Sequence, residues 1–164
     1  MRVPMFQSIH PATGQTIETF EVWSDDSLYT VLEEVRLAGF SWRQTPVNAR
    51  AERILCLRDR LLNQSETLAP LITQEMGKTL TEARREISKC ADLMTYYGTE
   101  GPGLLSAESV PMTGARVAIQ YEPLGTILAI MPWNFPFWQV FRAAIPILLS
   151  GNTLLLKHAP STQG

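Results

Sequence analysis

Between Pro132 and Pro136 the chain reads Pro-Trp-Asn-Phe-Pro, the arrangement in this sequence best suited to chemistry. A proline at each end fixes φ there and stiffens the loop. Trp133 and Phe135 flank a single amide, Asn134, with large rings able to exclude water. A side-chain N–H held rigidly in a dry pocket stabilises negative charge developing on a carbonyl oxygen. The same residues also suit an aromatic packing loop in which Asn134 satisfies nearby backbone, and residue types alone leave both readings open. Cys56 sits beside arginines that would lower its pKa if the thiol is exposed, but no motif surrounds it. Cys90 falls on an apolar stripe and reads as a small buried hydrophobe. His10 and His158 lie far apart and show no metal-ligand spacing, so no metal site is expected.

The elements that must hold this loop are legible in outline. Phe6–Ile9 and Thr16–Val22 alternate on either side of His10-Pro-Ala-Thr-Gly14 and read as a hairpin. Ser24, with Asp25 and Asp26, starts a first helix whose stripe is Leu28, Val31, Leu32 and Val35, with Gly39 as its expected end. A second helix follows Pro46, with Ala51, Ile54, Leu55, Leu61 and Leu62 inward and Arg50, Arg53, Arg58 and Arg60 outward. Ser65 is the expected cap of a third helix that stops at Gly77, with a bend or a late start imposed by Pro70. In the fourth, Ala83, Ile87, Cys90, Met94 and Tyr97 form one stripe. Arg116–Tyr121 reads as a strand, then Thr126–Met131 as a second. A helix over about 137–149 and a strand over Thr153–Lys157 complete a strand–helix–strand unit. Near-continuous apolar strands of this kind belong in a parallel sheet covered on both faces.

The bulk properties exclude several classes. The 164 residues carry a net charge of −2, with 14 Lys and Arg scattered among 16 acids. No basic footprint for nucleic acid is present. From Gly125 to Leu156 the chain is nearly all apolar, with Arg142 its only charge. Three prolines and several amides divide that run into short pieces, so a buried unit explains it better than a membrane span. The start lacks an apolar signal core, and the chain reads as cytoplasmic with reduced thiols.

The stretch from Glu122 through Pro-Leu-Gly-Thr-Ile-Leu-Ala-Ile-Met-Pro-Trp-Asn-Phe to Pro136 resembles the aldehyde dehydrogenase superfamily. Ala144-Ile145-Pro146, Gly151-Asn152-Thr153 and Lys157 continue the likeness. His10–Gly14 and Glu75-Met76-Gly77-Lys78 extend it back to the beginning, in the family's order. Ile130–Pro136 together with Leu156-Lys157-His158-Ala159-Pro160 is most similar to bacterial succinate-semialdehyde dehydrogenases.

The resemblance implies an α/β fold: helices plus the start of a Rossmann-like parallel sheet. Residues 1–114 would form the helical part of the cofactor-binding domain, 115–122 a bridging strand used in oligomerisation, and 123–164 the first strand–helix–strand of the NAD(P) sheet. In the family a cysteine thiolate attacks the aldehyde, hydride is transferred to nicotinamide, and a glutamate-activated water releases the acid. Asn134 would then serve in the oxyanion hole. Ile130, Met131, Pro132 and Trp133 would line the nicotinamide-ribose side, and Lys157, His158, Ala159 and Pro160 the adenosine ribose. Many NAD-preferring members carry a glutamate where this chain has Pro160, so NAD or NADP is expected. The family's pyrophosphate-binding turn, general-base glutamate and nucleophilic cysteine are expected after residue 164, with the catalytic domain. This chain alone is then expected to be inactive; a non-catalytic remnant that binds nucleotide weakly or joins an intact subunit is the alternative. The implied partners are a small aldehyde and further copies in a homo-oligomer, with no nucleic acid or membrane.

Overall fold

The computed structural model describes residues 5–164; Met1–Pro4, the segment read above as lacking a signal core, lies outside them. A hairpin comes first, with β1 (Met5–Ile9) antiparallel to β2 (Thr16–Glu21). Four helices follow: α1 (Asp25–Gln44), α2 (Val47–Asn63), α3 (Ser65–Met76) and α4 (Leu80–Thr99). A single turn, α5 (Gly101–Leu104), leads to a second antiparallel hairpin, β3 (Glu108–Val110) with β4 (Val117–Ile119). The last unit is β5 (Thr126–Ile130), α6 (Pro136–Leu149) and β6 (Thr153–Lys157). Strands β5 and β6 pair in parallel, Thr126 opposite Thr153 and Ile130 opposite Lys157.

Helix α4 is the centre of the core. A capping box starts it, with Thr79 accepting from the Glu82 amide while the Glu82 carboxylate accepts from the Thr79 amide. Its stripe of Ala83, Ile87, Cys90 and Met94 is completely buried, as the spacing predicts. Ala51, Ile54 and Leu61 of α2, Ala69 and Ile72 of α3, and Ile145 and Leu149 of α6 close around that stripe. Each large aliphatic side chain buried this way contributes about 1.5–3 kcal/mol.

Arg50 overturns the expectation of an outward-facing arginine row on α2. It is 9% exposed, and its guanidinium is spent on two helix ends. Nε donates to the Leu149 carbonyl at 2.8 Å, in the last turn of α6, and Nη1 donates to Thr45 at 2.6 Å, beyond the end of α1. Carbonyls in a last helical turn have no partner within the helix and carry the negative end of its dipole. Two such ends converge here, so one buried cation satisfies both. Desolvation by burial holds the guanidinium pKa below its ordinary value. Beside it, the Trp42 indole donates to the Leu148 carbonyl at 2.9 Å. Gly151 then turns the chain at φ 90°, with the guanidinium 3.2 Å from where a Cβ would stand.

Five further expectations are corrected. Helix α1 runs through Gly39 to Gln44, because Trp42 anchors its end and Gly39 rests against Thr153 of β6. None of α1 is buried, and Leu28 and Leu32 of the expected stripe are exposed. Ser65 is the first residue of α3 rather than its cap, and no side chain caps that helix; Pro70 lies inside it without delaying its start. The parallel pair is not covered on both faces: Ala129 is 5% exposed on one, but Leu128 is 58% and Ile130 67% exposed on the other. At the start of the strands Gly39 of α1 rests against Thr153, and at their far end Lys157 lies over the Phe6 ring of the first hairpin. Among the described residues no helix is long and apolar enough to cross a membrane.

Removing the Arg50 guanidinium leaves buried carbonyls at two helix ends without donors. Arg50→Ala is therefore expected to destabilise the chain by about 3 kcal/mol in urea unfolding. Arg50→Lys, which keeps the charge but not the fork, should fall between the two. An Arg50→Ala midpoint equal to the parent's refutes the assignment.

Candidate active site

The Pro132–Pro136 loop leaves β5 at its C-terminal end and feeds directly into α6. Backbone donors at the start of a helix have no partner within it. Here they find a side chain from another helix. The Glu86 carboxylate of α4, 3% exposed, accepts through Oε1 from the amides of Phe137 and Trp138, both at 2.9 Å. Its other oxygen accepts from Lys78 Nζ at 2.5 Å, so the buried negative charge has a buried cation beside it. Lys78 Nζ also stands 4.0 Å from the centre of the Phe135 ring. A carboxylate at a helix N-terminus, paired and hydrogen-bonded, is one of the few buried charges that stabilise their surroundings.

Sequence reading did not identify Glu86 as a site residue. A signal was available: Glu86 lies three residues after Ala83 and four before Cys90, on the flank of the buried stripe. A carboxylate there must find partners or disrupt the core. Lys78 was seen only as part of a helix-end signature. Within that signature Gly77 adopts φ 78° and packs its bare α-carbon against Pro11, where a Cβ would lie 2.9 Å from the ring. The turn of the first hairpin and the turn after α3 therefore fit together. Glu75, also buried, accepts from the Gly164 amide at 3.1 Å.

The expected site residues fall into two groups. Asn134 and Trp133 line a groove of about 460 Å³ together with Phe135, Lys78, Arg85, Glu86 and Lys89. Asn134 is exposed, Trp133 is 55% exposed and Phe135 43%. The water-excluding pocket expected of these aromatics is thus not closed among the described residues: Phe135 turns to Lys78 and Trp133 stays open. The second group follows the strand ends. Exposed Ile130 lies opposite exposed Lys157 in the parallel register, and the Met131 amide donates to the Lys157 carbonyl at 3.1 Å. Pro132 and Pro160 are exposed and Ala159 is 7% exposed. His158 is committed: Nε2 lies 3.0 Å from the Pro136 carbonyl, which only accepts, so Nε2 donates. Nδ1 lies 2.9 Å from the Thr162 hydroxyl. The imidazole therefore ties the loop's end to the turn after β6.

Neither cysteine joins these groups. Burial pushes the Cys90 thiol up to about 12. Cys56 is exposed on α2, none of whose residues line the groove. Among the described residues no cluster of three metal-ligating side chains occurs.

Known proteins match this chain over nearly all its length. The model described as the aldehyde dehydrogenase family matches residues 2–164. A succinate semialdehyde dehydrogenase [NAD(P)+] of Escherichia coli is 46% identical over 96% of the chain, and a succinate-semialdehyde dehydrogenase [NADP(+)] of Deinococcus radiodurans is 39% identical over 94%. The matches cover 34% and 32% of those two proteins, so the chain spans about a third of their length. The crystal structure of succinic semialdehyde dehydrogenase from Streptococcus pyogenes, in complex with NADP+, superposes with a TM-score of 0.91 at 31% identity. That superposition covers 96% of this chain and 35% of the other.

Two outcomes follow from the geometry. Glu86→Ala, which strips three donors of their acceptor, is expected to cost about 3 kcal/mol of stability in denaturant unfolding. Glu86→Gln should cost less, because an amide oxygen still receives the α6 amides. Thiol labelling of the native chain at pH 8 should modify Cys56 quickly and Cys90 only after denaturation; rapid labelling of two thiols contradicts the burial of Cys90.

Proposed function

The chain belongs to the aldehyde dehydrogenase family, and on that premise we propose that it forms the N-terminal part of an NAD(P)-dependent enzyme that oxidises succinate semialdehyde to the acid. The observation that carries this reading is the loop after β5. Asn134 stands exposed on a backbone pinned by Glu86, immediately beside the exposed ends of two parallel strands.

The Asn134 side-chain N–H donates to the substrate's carbonyl oxygen as it gains negative charge. Because the loop is fixed before substrate arrives, no reorganisation is needed at that moment. The residues at the strand ends fit a dinucleotide: Ile130 and Lys157 are paired in register and open, at the end of a parallel sheet where ligands sit. Ile130, Met131, Pro132 and Trp133 would hold the nicotinamide-ribose side. Lys157, with the backbone of His158, Ala159 and Pro160, would hold the adenosine ribose. The bound nicotinamide supplies the hydride acceptor. Exposed Pro160 brings no carboxylate to repel a 2′-phosphate, which supports use of NAD or NADP.

The nucleophile and general base come from outside these residues, since Cys90 is buried and Cys56 is remote from the groove lining. The 164 residues alone are then inactive. Residues 115–122, whose strand β4 is exposed throughout, serve as the subunit-pairing surface of a homo-oligomer in the cytoplasm.

A chimera joining this chain to the rest of the Escherichia coli relative tests the proposal. It should oxidise succinate semialdehyde with NAD or NADP, whereas the 164-residue chain should show no turnover. Asn134→Ala in the chimera should lower kcat about 100-fold with little change in KM. A kcat unmoved by Asn134→Ala would falsify its role.

A further inference from the structure

The open ends of the two parallel strands have the first hairpin as a neighbour. Side chains alternate along β1: Met5, Gln7 and Ile9 are exposed, Phe6 is half-buried and Ser8 is completely buried. Phe6 therefore belongs to the face that β1 turns toward the rest of the chain. Phe20, directly across the hairpin, shares that face and is also half-buried. The hairpin is held at its turn, where Pro11 fits against the bare α-carbon of Gly77. From that anchor the Phe6 ring reaches the end of β6, and Lys157 Nζ lies 6.0 Å from its centre. Lys78 also lies on a ring, that of Phe135, but its ammonium is spent on Glu86. Among the described residues no carboxylate stands at ion-pair distance from Lys157. The π-face of a ring attracts an ammonium without using up its N–H donors as a carboxylate does.

We propose that Phe6 is a positioning residue for Lys157, which makes the first hairpin a wall of the site for the adenosine ribose. This rests on the assignment of Lys157 above and adds to it a residue that touches no ligand. The physical reason is entropic. A lysine at an exposed strand end samples many rotamers, and a ribose hydroxyl that receives its N–H must freeze them. A ring that has already narrowed the range of the ammonium reduces that loss, and it leaves the N–H groups free to donate. Because the ring arrives on a separate hairpin pinned at Pro11, its place does not depend on β6 itself.

The test uses the 164-residue chain itself, ¹³C-labelled at its lysines, which are only Lys78, Lys89 and Lys157, with adenosine as the probe. In the parent the Lys157 ε-methylene should show a nuclear Overhauser contact to the Phe6 ring and a ring-current shift upfield, and neither readout needs a variant to fold. Adenosine should move that signal. Phe6→Leu should return it toward the position of free lysine and weaken adenosine about threefold, the size expected of one exposed cation–π contact. Phe6→Tyr, which keeps a ring, should preserve both. Phe20→Leu removes a ring from the same cross-strand pair and should change neither. Equal weakening by Phe6→Leu and Phe20→Leu would mean that the hairpin only stabilises the fold, and overturns the positioning role. Adenosine binding at Lys157 without a contact to Phe6 overturns that role too, while leaving the Lys157 assignment intact. A Lys157 signal that adenosine does not move overturns both.

Discussion

Helix α6 meets a buried charge of the appropriate sign at each end, and the arrangement of the remaining elements depends on this. At its start the Glu86 carboxylate takes two backbone amides; at its finish the Arg50 guanidinium takes a backbone carbonyl. Each is buried, and each comes from a helix that is itself part of the core. A helix dipole is positive at its N-terminus and negative at its C-terminus, so both contacts are attractive, and neither is screened as a surface pair would be. The helix is thereby fixed along its axis as well as against its apolar neighbours. Hydrophobic packing of Ile145 and Leu149 alone is non-directional and would permit sliding.

That axial fixing determines where the loop after β5 sits. The Pro132–Pro136 loop is the connection between β5 and α6, so placing the first turn of α6 places Asn134. Lys78 continues the same network, neutralising Glu86 and lying on the Phe135 ring. His158 closes it from the far side by donating to the Pro136 carbonyl. Residues from α3–α4, α6 and the end of β6 thus converge on five residues of loop. At the opposite end Arg50 gathers the finishes of α1 and α6, and Gly151 turns the chain into β6 beside it. The register that sets Ile130 opposite Lys157 follows from that turn.

Apolar side chains are left open beside this loop. Leu128 and Ile130 face outward from the sheet, Trp133 and Phe135 from the loop, and Val117 and Ile119 from the second hairpin. All lie around the same site or on the segment leading into it. The apolar stripe of α4, by contrast, is covered by α2, α3 and α6.

Much of this was legible in the sequence because it depends on local periodicity. The stripe of α4, the Ser24 cap, the Gly77 stop, the first hairpin and the parallel strands all express short-range rules that hold whatever the chain meets later. Pro132–Pro136 was legible as well, since its stiffness is intrinsic to proline, and its ordered companions from His10 to Lys157 carried the family resemblance. What could not be read was which charges would be buried, and with whom. Arg50 looked like its neighbours Arg53 and Arg60 because nothing within one turn of α2 distinguishes them; only the arrival of two helix ends does. Glu86 had a position that hinted at burial, but the two α6 amides it receives lie some 50 residues away. Sequence alone determined most of the elements, the proline-bounded loop and its residue types. Tertiary structure decided how that loop is held, because a buried charge is stabilised only by groups that folding brings to it.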